Sequence, residues 1–150
     1  SYAYLAGFTE ETLKFLTIYF YVSRSTNFDE PMDAIVYGTL VSLGFATFEN
    51  LQYVYYSGGS PDAVAIIRAF TAIPLHACCG IIMGYYFGLY MFKNKDTLNL
   101  FKSLFFAIGF HAVYNYFATR NVFLMIVVLV ILISFARKLH NIFKKEQANI

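Results

Sequence analysis

Five apolar segments, at about residues 4–22, 33–56, 62–92, 98–118 and 121–138, follow one another with only short polar breaks. Each is close to the roughly 20 helical residues that cross the hydrocarbon core of a bilayer, and the third has length to spare for tilt. A chain in lipid must satisfy its own backbone N–H and C=O groups. With no alternating ten-residue barrel pattern present, the segments read as helices. Only 13% of residues are charged and 59% are hydrophobic, far from the roughly 25% charge of an average soluble domain. The expected fold class is all-α, a polytopic transmembrane helix bundle with about five membrane-embedded helices surrounded by lipid. At 150 residues the chain is one domain, 1–150. The lack of an initiator Met and of a signal peptide leaves room for helices upstream of Ser1. A net charge of +2 gives no reason to expect a nucleic-acid partner.

The breaks carry helix signals. Pro31 stands at a helix start among acids in SRSTNFDEPMD, and SGGSPD offers Ser60 as N-cap with Pro61 at the first helical position. If each segment crosses once, Arg24, Lys93, Lys95, Lys102, Arg137, Lys138, Lys144 and Lys145 share one side and Arg120 lies on the other. That asymmetry places the lysine-rich side in the cytoplasm and Ser1 outside. Gly80, Gly84 and Gly88 recur every fourth residue and let another helix approach closely. Cys78 and Cys79 are adjacent, which strains an ordinary disulfide between them, and they read as small buried residues.

Against this background Glu10, Glu11, Lys14, Glu49, Arg68, His76 and His111 are out of place. A charge at the bilayer centre costs roughly 3 kcal/mol on insertion scales, so these groups should face one another. Counted at 1.5 Å per residue from the outer ends, Glu11, Glu49 and His111 lie roughly 10 Å deep, Arg68 shallower and His76 deeper. Glu10 and Lys14, Glu11 and Lys14, and His111 and Asn115 each share a helix face, and Arg68, Ala72 and His76 form one stripe. Blander readings exist for some of them. Glu10, Glu11 and Lys14 also suit an interfacial helix start, Arg68 suits neutralisation of the acids, and His76 alone suits a satisfied core imidazole. Together, two or three carboxylates and two imidazoles in a wet chamber could activate water, stabilise an oxyanion or hold a divalent metal such as zinc. Glu11, Glu49, His76 and His111 form one such ligand set, with Asn115 as oxyanion donor or outer partner. The same groups would also serve a transporter or proton relay, although no repeat relates two halves of the chain.

EETLK (Glu10, Glu11, Lys14), the stretch FDEPMDAIVYGTLVSLGFATFENLQYV at residues 28–54, RAFTAIPLHACCG (Arg68, His76, Gly80) and HAVYN (His111, Asn115) occur in that order. This set resembles the PrsW family of intramembrane proteases, relatives of the CAAX prenyl proteases and bacteriocin-immunity proteins. The likeness runs through about residues 8 to 117, and its long second motif is the specific part. It implies a membrane protease domain whose catalytic residues are Glu10, Glu11, Glu49, His76 and His111, with Asn115 where relatives often have Asn. It implies a multi-pass protein of the bacterial plasma membrane that cleaves a membrane-protein substrate such as an anti-sigma factor, on the outer side. Lys14 and Glu49 stand where CAAX proteases more often have Arg and His, which favours the PrsW branch over prenylated substrates. The mechanism stays open between a glutamate-activated water and a metal-assisted one. In either, Glu11 with Glu10 beside it acts on the water, and because helix neighbours point about 100° apart, spacing leaves the choice of base between the two open.

Overall fold

The computed structural model describes residues 3–56 and 58–148. Ser1, assigned to the outside above, and Ser57, the first residue of the SGGSPD break, lie outside the described residues. The described residues form helices α1 (Ala3–Phe20), α2 (Pro31–Tyr56), α3 (Pro61–Phe70), α4 (Ala72–Leu89), α5 (Thr97–Ala118) and α6 (Val122–Gln147). A short 3-10 turn at Val22–Arg24 follows α1, and a π turn at Tyr90–Asn94 prolongs α4. Among the described residues three stretches are long and apolar enough to cross a membrane, namely Pro31–Tyr56, Pro61–Asn94 and Val122–Gln147. With α1, which carries Glu10, Glu11 and Lys14, and with α5, they make the all-α polytopic bundle expected from the segment pattern.

Local chemistry fixes the helix ends. Asp33, in the first turn of α2, accepts the backbone N–H groups of Asp29 and Glu30, each at 3.0 Å. Asp96 caps α5 by accepting Leu98 N–H at 2.9 Å, and Asn121 caps α6 by accepting Leu124 N–H at 3.1 Å. Ser60 stands at the N-cap position of α3 but makes no side-chain cap, so Pro61 at the first helical position carries that start. The third apolar segment differs from a single straight helix. It breaks at Thr71, whose φ and ψ are −123° and −61°. Pro74 lies four residues after Phe70 and has no N–H to offer its carbonyl, and the proline ring crowds that carbonyl. Arg68 and His76 therefore lie on different helices, α3 and α4.

Helix α4 is the centre of the bundle, with α2, α5 and α6 packed around it, while α1 leans mainly on α5. Glycine decides how closely α2 and α4 meet. A Cβ on Gly38 would lie 2.7 Å from the Gly80 carbonyl oxygen, and one on Gly80 would lie 2.6 Å from the Gly38 carbonyl oxygen. A Cβ on Gly84 would overlap the carbonyl of Ala34. Because backbone cannot swing aside as a side chain can, Gly84→Ala is expected to destabilise the bundle by about 1–3 kcal/mol. Gly109→Ala, where nothing lies within 4 Å of the added carbon, is expected to leave it unchanged. Thermal unfolding in detergent compares the two. Cys78 and Cys79 are buried free thiols in this same α4 core.

The contacts at the bundle's ends agree with the alternation of helices. Lys93 pairs with Glu146 at 2.7 Å, and Gln147 donates to Glu30 at 2.7 Å. These contacts gather the loop before α2, the end of α4 and the end of α6 at the basic end. The early turns of α1 and α4 and the late turns of α2 and α5 meet in the opposite half.

Candidate active site

That antiparallel alternation brings five of the six intramembrane ionisable positions of α1, α2, α4 and α5 together with Arg68 of α3. On α1, Glu11 and Lys14 point into the bundle, with side chains 0% and 1% exposed, and their Oε1 and Nζ atoms are 2.6 Å apart. The same Glu11 oxygen lies 2.7 Å from His111 Nδ1 on α5. Lys14 Nζ also lies 2.8 Å from His76 Nδ1 on α4. The other nitrogen of His76, Nε2, is 2.9 Å from Glu49 Oε2 on α2, and that oxygen also accepts from Arg68 at 2.6 Å. The two imidazole rings are 5.1 Å apart at 78°. One continuous polar chain thus runs from Arg68 through Glu49, His76, Lys14 and Glu11 to His111.

Glu10 stands apart from this chain. Neighbours on a helix point about 100° apart, so Glu10 faces the same Lys14 and His111 from another side and is less enclosed than Glu11. Its side chain is 20% exposed, and its Oε2 lies 3.9 Å from Lys14 Nζ. That oxygen is buried and has no hydrogen-bond partner, as is true of Glu11 Oε2. Ligand atoms of Glu10, His76 and His111 all lie within 4.8 Å of one another. Glu11 and Glu49, the other two acids of the expected ligand set, each touch a histidine and a cation, Glu11 bonding His111 and Lys14 and Glu49 bonding His76 and Arg68. Asn115 is half-buried one turn after His111 on α5.

The donor set of Glu10, His76 and His111 fits a divalent metal. Two imidazoles and one carboxylate are a catalytic zinc set that leaves a position for water or substrate, and the orphaned Glu10 oxygen is an acceptor in want of a cation. His111 already donates one ring N–H to a carboxylate, the arrangement that orients a metal-binding imidazole. His76 would join such a set by exchanging one of its two present partners.

Several supporting residues escaped sequence reasoning. Asn50 accepts from Arg68 Nε at 2.6 Å, and the Arg68 guanidinium stacks 3.9 Å over the Tyr53 ring. Ser42 donates to the His76 carbonyl at 2.6 Å, locking α2 to α4 beside the imidazole. The signal for Ser42 was its place seven residues before Glu49, two turns along the same face of α2. Asn50 and Tyr53 carried no such signal, since they act only through an arginine on another helix.

The family profile described as PrsW family intramembrane metalloprotease matches residues 1–136. The chain belongs to the PrsW family. Curated relatives called Protease PrsW agree. That of Geobacillus kaustophilus is 40% identical over 112 residues, covering 74% of this chain and 48% of the relative. That of Bacillus subtilis is 45% identical over 83 residues, covering 55% of this chain and 37% of the relative. That of Clostridioides difficile is 36% identical over 116 residues, covering 75% and 49%. The chain thus spans about half or less of the length of these PrsW relatives. No solved structure matches it. PrsW membership and the apolar helices make this a multi-pass protein of the cell membrane.

Proposed function

We propose that this chain is an intramembrane endopeptidase domain in which Glu10 takes the proton of the attacking water. The observation that carries the reading is the buried, unpartnered Oε2 of Glu10 beside the two imidazoles, whose ligand atoms lie within 4.8 Å of a Glu10 oxygen. Glu11 has the opposite character. One of its oxygens is committed to both Lys14 and His111 and its side chain is fully enclosed, which suits holding the site together. Helical spacing leaves open which of Glu10 and Glu11 acts on the water, and the separation of their surroundings supports Glu10.

A water between Glu10, His76 and His111 would give its proton to the Glu10 carboxylate as its oxygen attacks the scissile carbonyl. The developing oxyanion is met by a donor, for which Asn115 is the nearest candidate in sequence to the chamber. As the tetrahedral species collapses, the C–N bond breaks and protonated Glu10 returns the proton to the leaving amine. Glu49 and Arg68 hold His76 from the other side. A divalent metal such as zinc, held by Glu10, His76 and His111, would supply Lewis-acid polarisation of the carbonyl and a more acidic water. A carboxylate has two oxygens, so ligation through one leaves the other to accept a proton.

The substrate in this reading is a membrane protein whose cleavage site reaches the half of the bilayer opposite the basic end. The family resemblance points to a single-span protein such as an anti-sigma factor, cut at its outer side. Reconstituted with such a substrate in vesicles, the protein is expected to release a cleaved product without ion flux. Flux without cleavage would instead establish a proton relay. Metal analysis of the purified protein is expected to find zinc, and chelation to lower cleavage at least tenfold with recovery on adding zinc back. Full activity after complete chelation would leave Glu10 and water as the whole mechanism.

A further inference from the structure

We propose that Gly7 is a positioning residue of the chamber, the bare stretch of α1 against which the His111 imidazole is seated. Gly7 stands one turn before Glu11 on the same face of α1, and it is buried. A Cβ added to it would lie 3.2 Å from Cγ, 3.3 Å from Cδ2 and 3.5 Å from Cβ of His111. The first two distances are tighter than ordinary van der Waals contact. Gly38, Gly80 and Gly84 meet the backbone of a facing helix, whereas Gly44 and Gly109 have nothing within 4 Å of the added carbon. Among the described residues Gly7 is the glycine whose missing side chain faces a chamber imidazole.

The ring has little room to yield. His111 is 1% exposed, its Nδ1 is held 2.7 Å from Glu11 Oε1, and the His76 ring stands 5.1 Å away at 78°. Two ways remain to fit a methyl group at Gly7. Either the imidazole turns by a few tenths of an ångström, or α1 moves off α5 and carries Glu10 and Glu11 with it. In both cases the spacing of His111 from Glu10, which with His76 form a group within 4.8 Å, is altered. Reacting groups tolerate such misplacement poorly. Glycine is the poorest helix former after proline, so α1 is locally weakened at this turn. The close seat of His111 offsets that loss.

The inference rests on the proposed reading of the chamber, but the first arm of its test needs no substrate. Gly7→Ala is compared with the unaltered chain by NMR in micelles, both labelled with carbon-13 and nitrogen-15 at histidine. The His111 ring signals are expected to shift while those of His140, in the basic tail, stay in place. In proteoliposomes Gly7→Ala is expected to lower kcat by about tenfold or more with KM little changed. It is expected to melt no lower than the unaltered protein, since alanine favours the helix. Gly44→Ala, on the open side of α2, is the control and is expected to leave kcat and the His111 signals unchanged. Unshifted His111 signals, an unchanged kcat, a kcat that falls only together with the melting temperature, or an equal fall in Gly44→Ala each overturn the inference. So does a Gly7→Ala protein that does not fold, because packing would then be the whole role of the residue. If the unaltered protein cleaves nothing, the protease reading fails, and the ring signals alone decide for or against Gly7.

Discussion

Glu10→Gln is expected to reduce the kcat for cleavage of a membrane substrate by roughly 10²–10⁴-fold, the usual contribution of a positioned general base, in a protein that still folds. The substitution preserves shape and removes only the charge and the proton affinity. Little in the fold depends on that charge. Glu10 is partly exposed, its Oε2 makes no hydrogen bond, and the nearest cation is 3.9 Å away and already bound to Glu11. The measurement is single-turnover cleavage in proteoliposomes, with thermal unfolding run alongside. Retained activity in a folded Glu10→Gln protein would take the water-activating role away from Glu10 and return it to Glu11.

Glu11→Ala should have the contrary signature, a loss of fold before any loss of chemistry. It would leave the ammonium of Lys14 enclosed with its closest acid gone and only the more distant Glu10 to offset it. Removing one member of a buried pair costs about 3–5 kcal/mol, because the remaining charge has no water to return to. His111 Nδ1 would lose its acceptor in the same step. Replacing both partners, as Glu11→Ala with Lys14→Met, removes the stranded charge and should recover most of the stability while leaving the enzyme inactive. Unfolding in detergent orders the variants, with Glu11→Ala the least stable. A Glu11→Ala protein that melts with the unaltered one would show that the pair holds nothing together.

The contrast between these neighbours explains how far the residues could be read in advance. The cost of a charge in hydrocarbon marks Glu10, Glu11, Lys14, Glu49, Arg68, His76 and His111 as a set, because each is expensive unless it meets another. Helical spacing also pairs Lys14 with both acids, and the observed separations of 3.9 and 2.6 Å follow that i,i+4 and i,i+3 arithmetic. Spacing does not extend across helices. Nothing in the chain says that Arg68 reaches Glu49 and Asn50 while Lys14 reaches His76, since those choices depend on the break at Thr71 and on how α1 sits against α4 and α5.

What the sequence determined by itself was the solvent and the alphabet of the fold. Long apolar segments must be helices in lipid, prolines and short polar breaks divide them, and the ordered motifs carry the family. Tertiary structure alone decided which face of each helix looks inward, and so which glutamate is fully enclosed against Lys14 and His111 and which is left partly exposed beside the two imidazoles. The physical reason is angular. Adjacent residues differ by about 100° around a helix, and the rotation of each helix is set by contacts with the others. Here those include the backbone contact of Gly38 with Gly80 and of Gly84 with Ala34, which no single segment contains.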